Sequence, residues 1–243
     1  MTFLPLLRFS SVGRPVLGLL LFATAFASLL FSSLLFAHGV EEGDAMFIEQ
    51  STGVQLLPFI YLGAKHMVTG YDHLLFLAGV IFFLYRMKDV GIYVTLFAVG
   101  HSVTLLYGVL SETNVNAYMV DAIIGFSVVY KALDNLGAFR RWFGVQPNTK
   151  AAVLIFGFFH GFGLATKLQD FTLSDDGLVA NILAFNVGVE IGQLMALSVI
   201  LIAMNFWRRT DAFPRQALAA NVMLMSAGFM LMGYQLTGLY TAS

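Results

Sequence analysis

The chain has 243 residues, 58% of them hydrophobic and 11% charged, with a formal net charge of -1. Soluble domains carry about 25% charged residues, so too little charge is present to cover a water-facing surface, and lipid is the expected solvent. The near-neutral balance, without a basic stripe, argues against a nucleic-acid partner. Cysteine is absent, which excludes disulfides, thiolate metal sites and cysteine nucleophiles together.

A bilayer core of about 30 Å takes about 20 apolar residues to span as a helix. Runs of that kind lie at 15–37, 66–85, 90–110, 117–137, 151–168, 179–205 and 216–239. They predict an all-α, polytopic transmembrane helix bundle of about seven hydrophobic helices. In the first run, Arg8 and Arg14 precede the apolar stretch Val16 to Ala37, and both Leu35-Phe36-Ala37 and Ala25-Phe26-Ala27 are passable cleavage sites. The stretch exceeds the usual signal-peptide core of about 7–15 residues. Residues 1–37 are therefore read as a signal peptide or signal anchor, with cleavage favoured, and 38–243 as a single transmembrane helical domain. Six helices remain if the first is removed. The acidic stretch His38 to Glu49 then opens the mature protein.

The stretch 54–85 is too long for one straight span, since it would reach roughly 48 Å at 1.5 Å per residue. Residues 54–64 are expected to form an interfacial or re-entrant piece, with the span proper beginning near His66. The remaining runs are separated by short loops whose charge alternates. One set holds Arg86 and Lys88, then Arg140, Arg141 and Lys150, then Arg208, Arg209 and Arg215. The other holds Glu41, Glu42, Asp44, Glu112, Asp170, Asp175 and Asp176, with Lys167 the main exception. The positive-inside rule then predicts a multi-pass protein of a bacterial inner membrane with a cytoplasmic N-terminus and a periplasmic C-terminus.

Ionisable groups at the centre of a bilayer helix cost at least about 2.5–3.5 kcal/mol, and persist when paired, hydrated or bound. His66, Asp72, His73, His101, Asp121, His160 and Glu190 all fall within or at the edge of expected spans. Counted from the basic ends, His73 lies roughly 18 Å up, His101 roughly 15 Å and His160 roughly 14 Å. Glu190 and Asp121 lie roughly 16 Å and 6 Å below the acidic ends of their helices. A polar cluster between the midplane and the outer face is expected.

His66 and His73 share a helix face seven residues apart, yet a straight helix would hold them about 10 Å from each other, too far for one ion. Gly70 between them is a place for a break, and Asp72 can fix an imidazole tautomer. A histidine capping a helix end is the plain alternative for His66. Ser102 and Thr104 beside His101 read either as support for a ligand or as interhelical hydrogen bonding. Glycines around His160 explain close packing but not the histidine. Asn186, Glu190 and Gln193 form one polar stripe on their helix, and Gly188 and Gly192 a packing pair. Lys131 and Asp134 read as a structural ion pair, and the methionines at 223, 225, 230 and 232 as packing. Imidazole plus carboxylate, without thiolate, suits zinc, copper, iron, nickel or cobalt.

Five separated pieces resemble the HupE/UreJ proteins of hydrogenase and urease gene neighbourhoods. They are Gly63-Ala64-Lys65-His66-Met67-Val68-Thr69-Gly70-Tyr71-Asp72-His73-Leu74-Leu75-Phe76, Gly100-His101-Ser102-Val103-Thr104-Leu105, the stretch 121–135, His160-Gly161-Phe162-Gly163, and Ala184-Phe185-Asn186-Val187-Gly188-Val189-Glu190-Ile191-Gly192-Gln193. The form H-x5-D-H at His66 to His73 also resembles the signature of nickel/cobalt permeases. The resemblance implies a cleaved signal peptide, six mature helices, uptake of a divalent metal, usually nickel, and partners among metalloenzyme maturation proteins. Asp121 stands where a glutamate is expected, and the segment after His160 lacks the acid of the hydrogenase-linked branch, so the match is to the UreJ-like branch.

The sequence therefore predicts a membrane metal permease or metal-delivery protein. Its site would draw on His66, Asp72, His73, His101, Asp121, His160 and Glu190, supported by Ser102, Thr104, Asn186 and Gln193. Ligation needs neutral imidazole, so uptake is expected to weaken below about pH 6.5. The alternative is an intramembrane zinc hydrolase acting on a lipid-like substrate, with three histidines and a metal-bound water; a third is an assembly factor with no transport cycle. The mostly apolar inner halves of the helices count against a path to the cytoplasm.

Overall fold

A computed structural model describes residues 42–113, 115–169 and 175–242. Every regular element among them is a helix. In chain order these are α1 (Glu42–Gln50), α2 (Leu56–Thr69), α3 (Tyr71–Ile81), α4 (Met87–Leu110), α5 (Ala117–Asn135), α6 (Ala138–Phe143), α7 (Thr149–Leu168), α8 (Leu178–Arg208) and α9 (Phe213–Thr241). Four of them, α4, α7, α8 and α9, are long and apolar enough to cross a membrane. The 19-residue α5 has the length but carries Asp121, Lys131 and Asp134. The expected segment at 1–37 lies outside the described residues.

The region 54–85 differs from the expectation. The chain does not switch from an interfacial piece to a span near His66. Instead α2 runs unbroken through His66, and the break falls at Gly70, where φ is -74° and ψ is 94°. That extended ψ ends α2, while the Gly70 carbonyl accepts from Leu74 N to start α3. No span reaches 85 either, because α3 ends at Ile81. The result is two short helices where apolar length suggested one long one.

Glycine lets three helix pairs meet at backbone distance. On α4 and α7, a side chain at Gly100 would reach Leu154 O at 2.5 Å, and one at Gly157 would reach Phe97 O at 2.6 Å. On α2 and α8, Gly63 faces the Phe185 backbone, Gly188 faces Ile60, and Gly192 faces Ala64. On α5 and α9, Gly125 faces Met232 N at 2.6 Å and Gly228 faces Val129 N at 2.8 Å. Small residues serve this purpose in membranes, where no hydrophobic force drives one helix onto another. The expected packing role of Gly188 and Gly192 is thus observed.

Polar groups fix the ends. Asn181 on the first turn of α8 accepts from Gln55 N at 2.7 Å and donates to Gly53 O at 2.9 Å, which pins the start of α2. Lys65 of α2 holds Asp44 of α1 at 2.9 Å. At the opposite end of α8, Arg208 donates to Ile81 O, Phe82 O and Leu84 O at 2.5–2.6 Å. These carbonyls lie at and just past the end of α3, so Arg208 caps that helix end. Lys131 and Asp134 form the expected ion pair, 2.5 Å apart and both buried. Gln146 also donates to the Asp134 carboxylate.

Candidate metal centre

The break at Gly70 creates the site. It turns α3 relative to α2, so His66 and His73 have ring centroids 5.1 Å apart instead of two helical turns. A side chain at position 70 would lie 2.7 Å from His73 Nδ1 and 3.2 Å from Asp72 Oδ1. Only glycine leaves room for that turn. The α4–α7 contact adds the other two histidines. His73 lies 6.3 Å from His101 and 4.7 Å from His160, ring centre to ring centre. Four helices thus deliver four imidazoles to one place, with His73 at its centre.

Hydrogen bonding orients three of these rings in the same sense. His73 Nδ1 lies 2.8 Å from Asp72 Oδ1, His101 Nδ1 3.2 Å from Asn186 Oδ1, and His160 Nδ1 2.7 Å from the Phe156 carbonyl. Each partner atom is an acceptor, so each Nδ1 carries the proton and each Nε2 presents a lone pair. The Nε2 atoms of His66, His73, His101 and His160 are all buried without a hydrogen-bond partner. Buried polar atoms are ordinarily satisfied, and four orphaned imidazole nitrogens in one cluster have a simple chemical answer. One ligand atom from each of His66, His73 and His101 lies within 4.8 Å of the others. Such donors suit a borderline divalent cation, and the Nδ1 partners are the outer support that metal-bound histidines use.

The other expected residues sort by place. Asp72 touches His73 and also accepts from the His73 backbone N–H at 2.9 Å, which ties the carboxylate to the first turn of α3. Asn186 supports His101. Thr104 donates to carbonyls, including Phe158 O across the α4–α7 contact at 2.7 Å, and so joins helices. Ser102 and Glu190 are half-buried, and Glu190 stands outside the three-histidine set. Asp121 is held by Lys167 Nζ at 3.1 Å. Gln193 is fully buried, with neither amide atom partnered.

Sequence reasoning did not anticipate three phenylalanines. Phe76, Phe97 and Phe156 each sit one turn from a site histidine toward the arginine-rich end of the bundle. Phe97 and Phe76 centroids lie 4.9 and 5.8 Å from His160, and Phe156 lies 5.5 Å from Phe76. They form an apolar floor beneath the imidazoles. Their signal was the recurrence of Phe three or four residues from His on three separate helices.

The chain matches the family described as HupE / UreJ protein over residues 42–243. Searches of curated proteins and of solved structures gave no match. The matched stretch contains every helix above and all four clustered histidines, and on that basis this membrane protein belongs to the HupE / UreJ family.

Proposed function

We propose that the chain binds a divalent metal ion, nickel by family resemblance, and acts as a permease or metal-delivery accessory protein for metalloenzyme maturation. The observation that carries the reading is the convergence of unpartnered Nε2 atoms whose rings are oriented from behind by Asp72, Asn186 and the Phe156 carbonyl. His66, His73 and His101 supply the ligands, and His160 stands ready as a fourth. The ion is cargo entering from the acid-rich end, read as periplasmic, and resting above the phenylalanine floor. Elemental analysis of purified protein tests this: wild type should carry about one equivalent of metal and His73→Ala none, with expression unchanged. Equal metal in both would end the proposal.

A hydrolytic zinc centre is the second reading, and the three-histidine donor count favours it, because three protein ligands leave a position for water. Against it, the HupE / UreJ family likeness points to metal handling and not to hydrolysis. Hydrolysis of a lipid-like ester by zinc-loaded protein, lost in His101→Ala, would reverse the preference.

A further inference from the structure

Lys167, in the last turn of α7, is the main basic exception to the acid-rich set, and its partner decides what it does. Its Nζ lies 3.1 and 3.3 Å from the two carboxylate oxygens of Asp121. Asp121 is buried, with 8% of its side chain exposed, whereas Lys167 keeps 25%. Lys167 is thus the more exposed partner of the pair. His160, Gly163 and Lys167 follow one face of α7, and Gly163 is the point where α7 closes on Asp121 and Ile124 of α5. Seven residues separate Lys167 from His160, which puts the ion pair roughly 10 Å outward of the histidines along that face.

A third group occupies the same level. Gly125 opposes Met232 and Gly238 opposes Tyr118 across the α5–α9 contact. That antiparallel register brings Gln235 level with Asp121. Gln235 is 3% exposed, and its Nε2 has no hydrogen-bond partner.

The geometry points to Lys167 as a tethered cation that closes the outer approach to the histidine site: an arriving divalent ion displaces its ammonium from Asp121 before reaching His73. This rests on the metal-binding reading above. A divalent ion about 10 Å from a unit charge, at an effective dielectric of about 20, feels it by well over a factor of ten in binding. Until it is displaced, the resident ammonium repels a divalent ion twice as strongly as a monovalent one.

The test is stopped-flow loading and chelator-driven release of Ni²⁺, with a melting temperature for each variant of the full chain in detergent. Lys167→Met should load at least about tenfold faster and also release faster, because the barrier lies on both routes. Lys167→Arg, which keeps the charge and forks onto the carboxylate, should load more slowly than Lys167→Met. Faster loading with slower or unchanged release would mean a distant field and not a closure, and would overturn the inference. Unchanged rates with a lowered melting temperature would reduce the pair to a structural one and overturn it too. Should Lys167→Met fail to fold, the conservative Lys167→Arg must still alter both rates. His73→Ala in the same assay separates the two ideas. If it still loads, the site reading has failed; if it does not load while Lys167→Met behaves as wild type, only the closure has failed.

Discussion

His73 Nδ1 and Asp72 Oδ1 lie 2.8 Å apart although the two residues are adjacent in sequence. Neighbouring side chains on a helix normally diverge by about 100°, so the contact exists because both stand on the first turn after the Gly70 break. The carboxylate there also takes the His73 backbone N–H, as an acid at a helix N-terminus does. The first prediction concerns this pair. Asp72→Asn should weaken metal binding by about 10- to 100-fold, the usual cost of losing a carboxylate behind a ligating histidine. Isothermal titration of the purified protein with Ni²⁺ would measure it.

Gly70→Ala isolates the role of the break. Its backbone angles are accessible to alanine, so the effect is steric, a methyl group 2.7 Å from His73 Nδ1 and 3.0 Å from His66 O. Binding should fall at least about tenfold, each decade being 1.4 kcal/mol. Gly91→Ala on α4 meets nothing within 4 Å and should leave binding unchanged while adding up to about 1 kcal/mol of stability. Thermal unfolding alongside titration distinguishes the two.

Gln193 separates holding a metal from moving it. It lies seven residues from Asn186 toward the arginine-rich end, beyond the level of the phenylalanine floor, and is buried with both amide atoms unpartnered. Replacing an unsatisfied buried amide with an apolar group of like size is neutral or stabilising. Gln193→Leu should therefore match or exceed wild type in melting temperature and bind metal normally. If ions pass inward, its uptake into proteoliposomes should drop severalfold. Wild-type uptake in that variant would remove Gln193 from any conduction route.

The Lys131–Asp134 pair should behave as buried structural charge. Asp134→Asn strands the Lys131 ammonium and should cost about 3–5 kcal/mol, whereas Lys131→Met combined with Asp134→Leu should lie close to neutral. Metal stoichiometry should be the same in both. A melting-temperature series covering the two singles and the double variant provides the measurement.

Much of this was readable in the sequence, for identifiable reasons. Histidines in an apolar chain stand out because lipid offers them nothing, so their clustering follows from cost alone. The packing glycines at 188 and 192 were visible from spacing. The break at Gly70 was readable, but the start of the span was misplaced near His66 because apolar length reports how much chain must be buried and not where its direction changes. Gly70 carried the only local sign, and no proline followed it to force the matter. Which polar residues face the site depends on helix rotation, which composition does not encode. Hence Thr104 turned out to link α4 to α7, Glu190 stood aside from the three histidines, and Lys167 found Asp121 although it looked like an exception to a charge rule.

Arg208 gives the broken helix a mechanical character. The guanidinium grips three carbonyls at the far end of α3, while at the near end the helix begins at a glycine with no side chain to brace it. A helix clamped at its Ile81 end and released at Gly70 yields most at the Gly70 end, which is the end that carries Asp72 and His73. Any displacement of His73 thus follows an arc about that clamp, with a radius of about 16 Å for the 11 residues of α3. The arginine that sets that arc stands at the opposite end of α3 from His73.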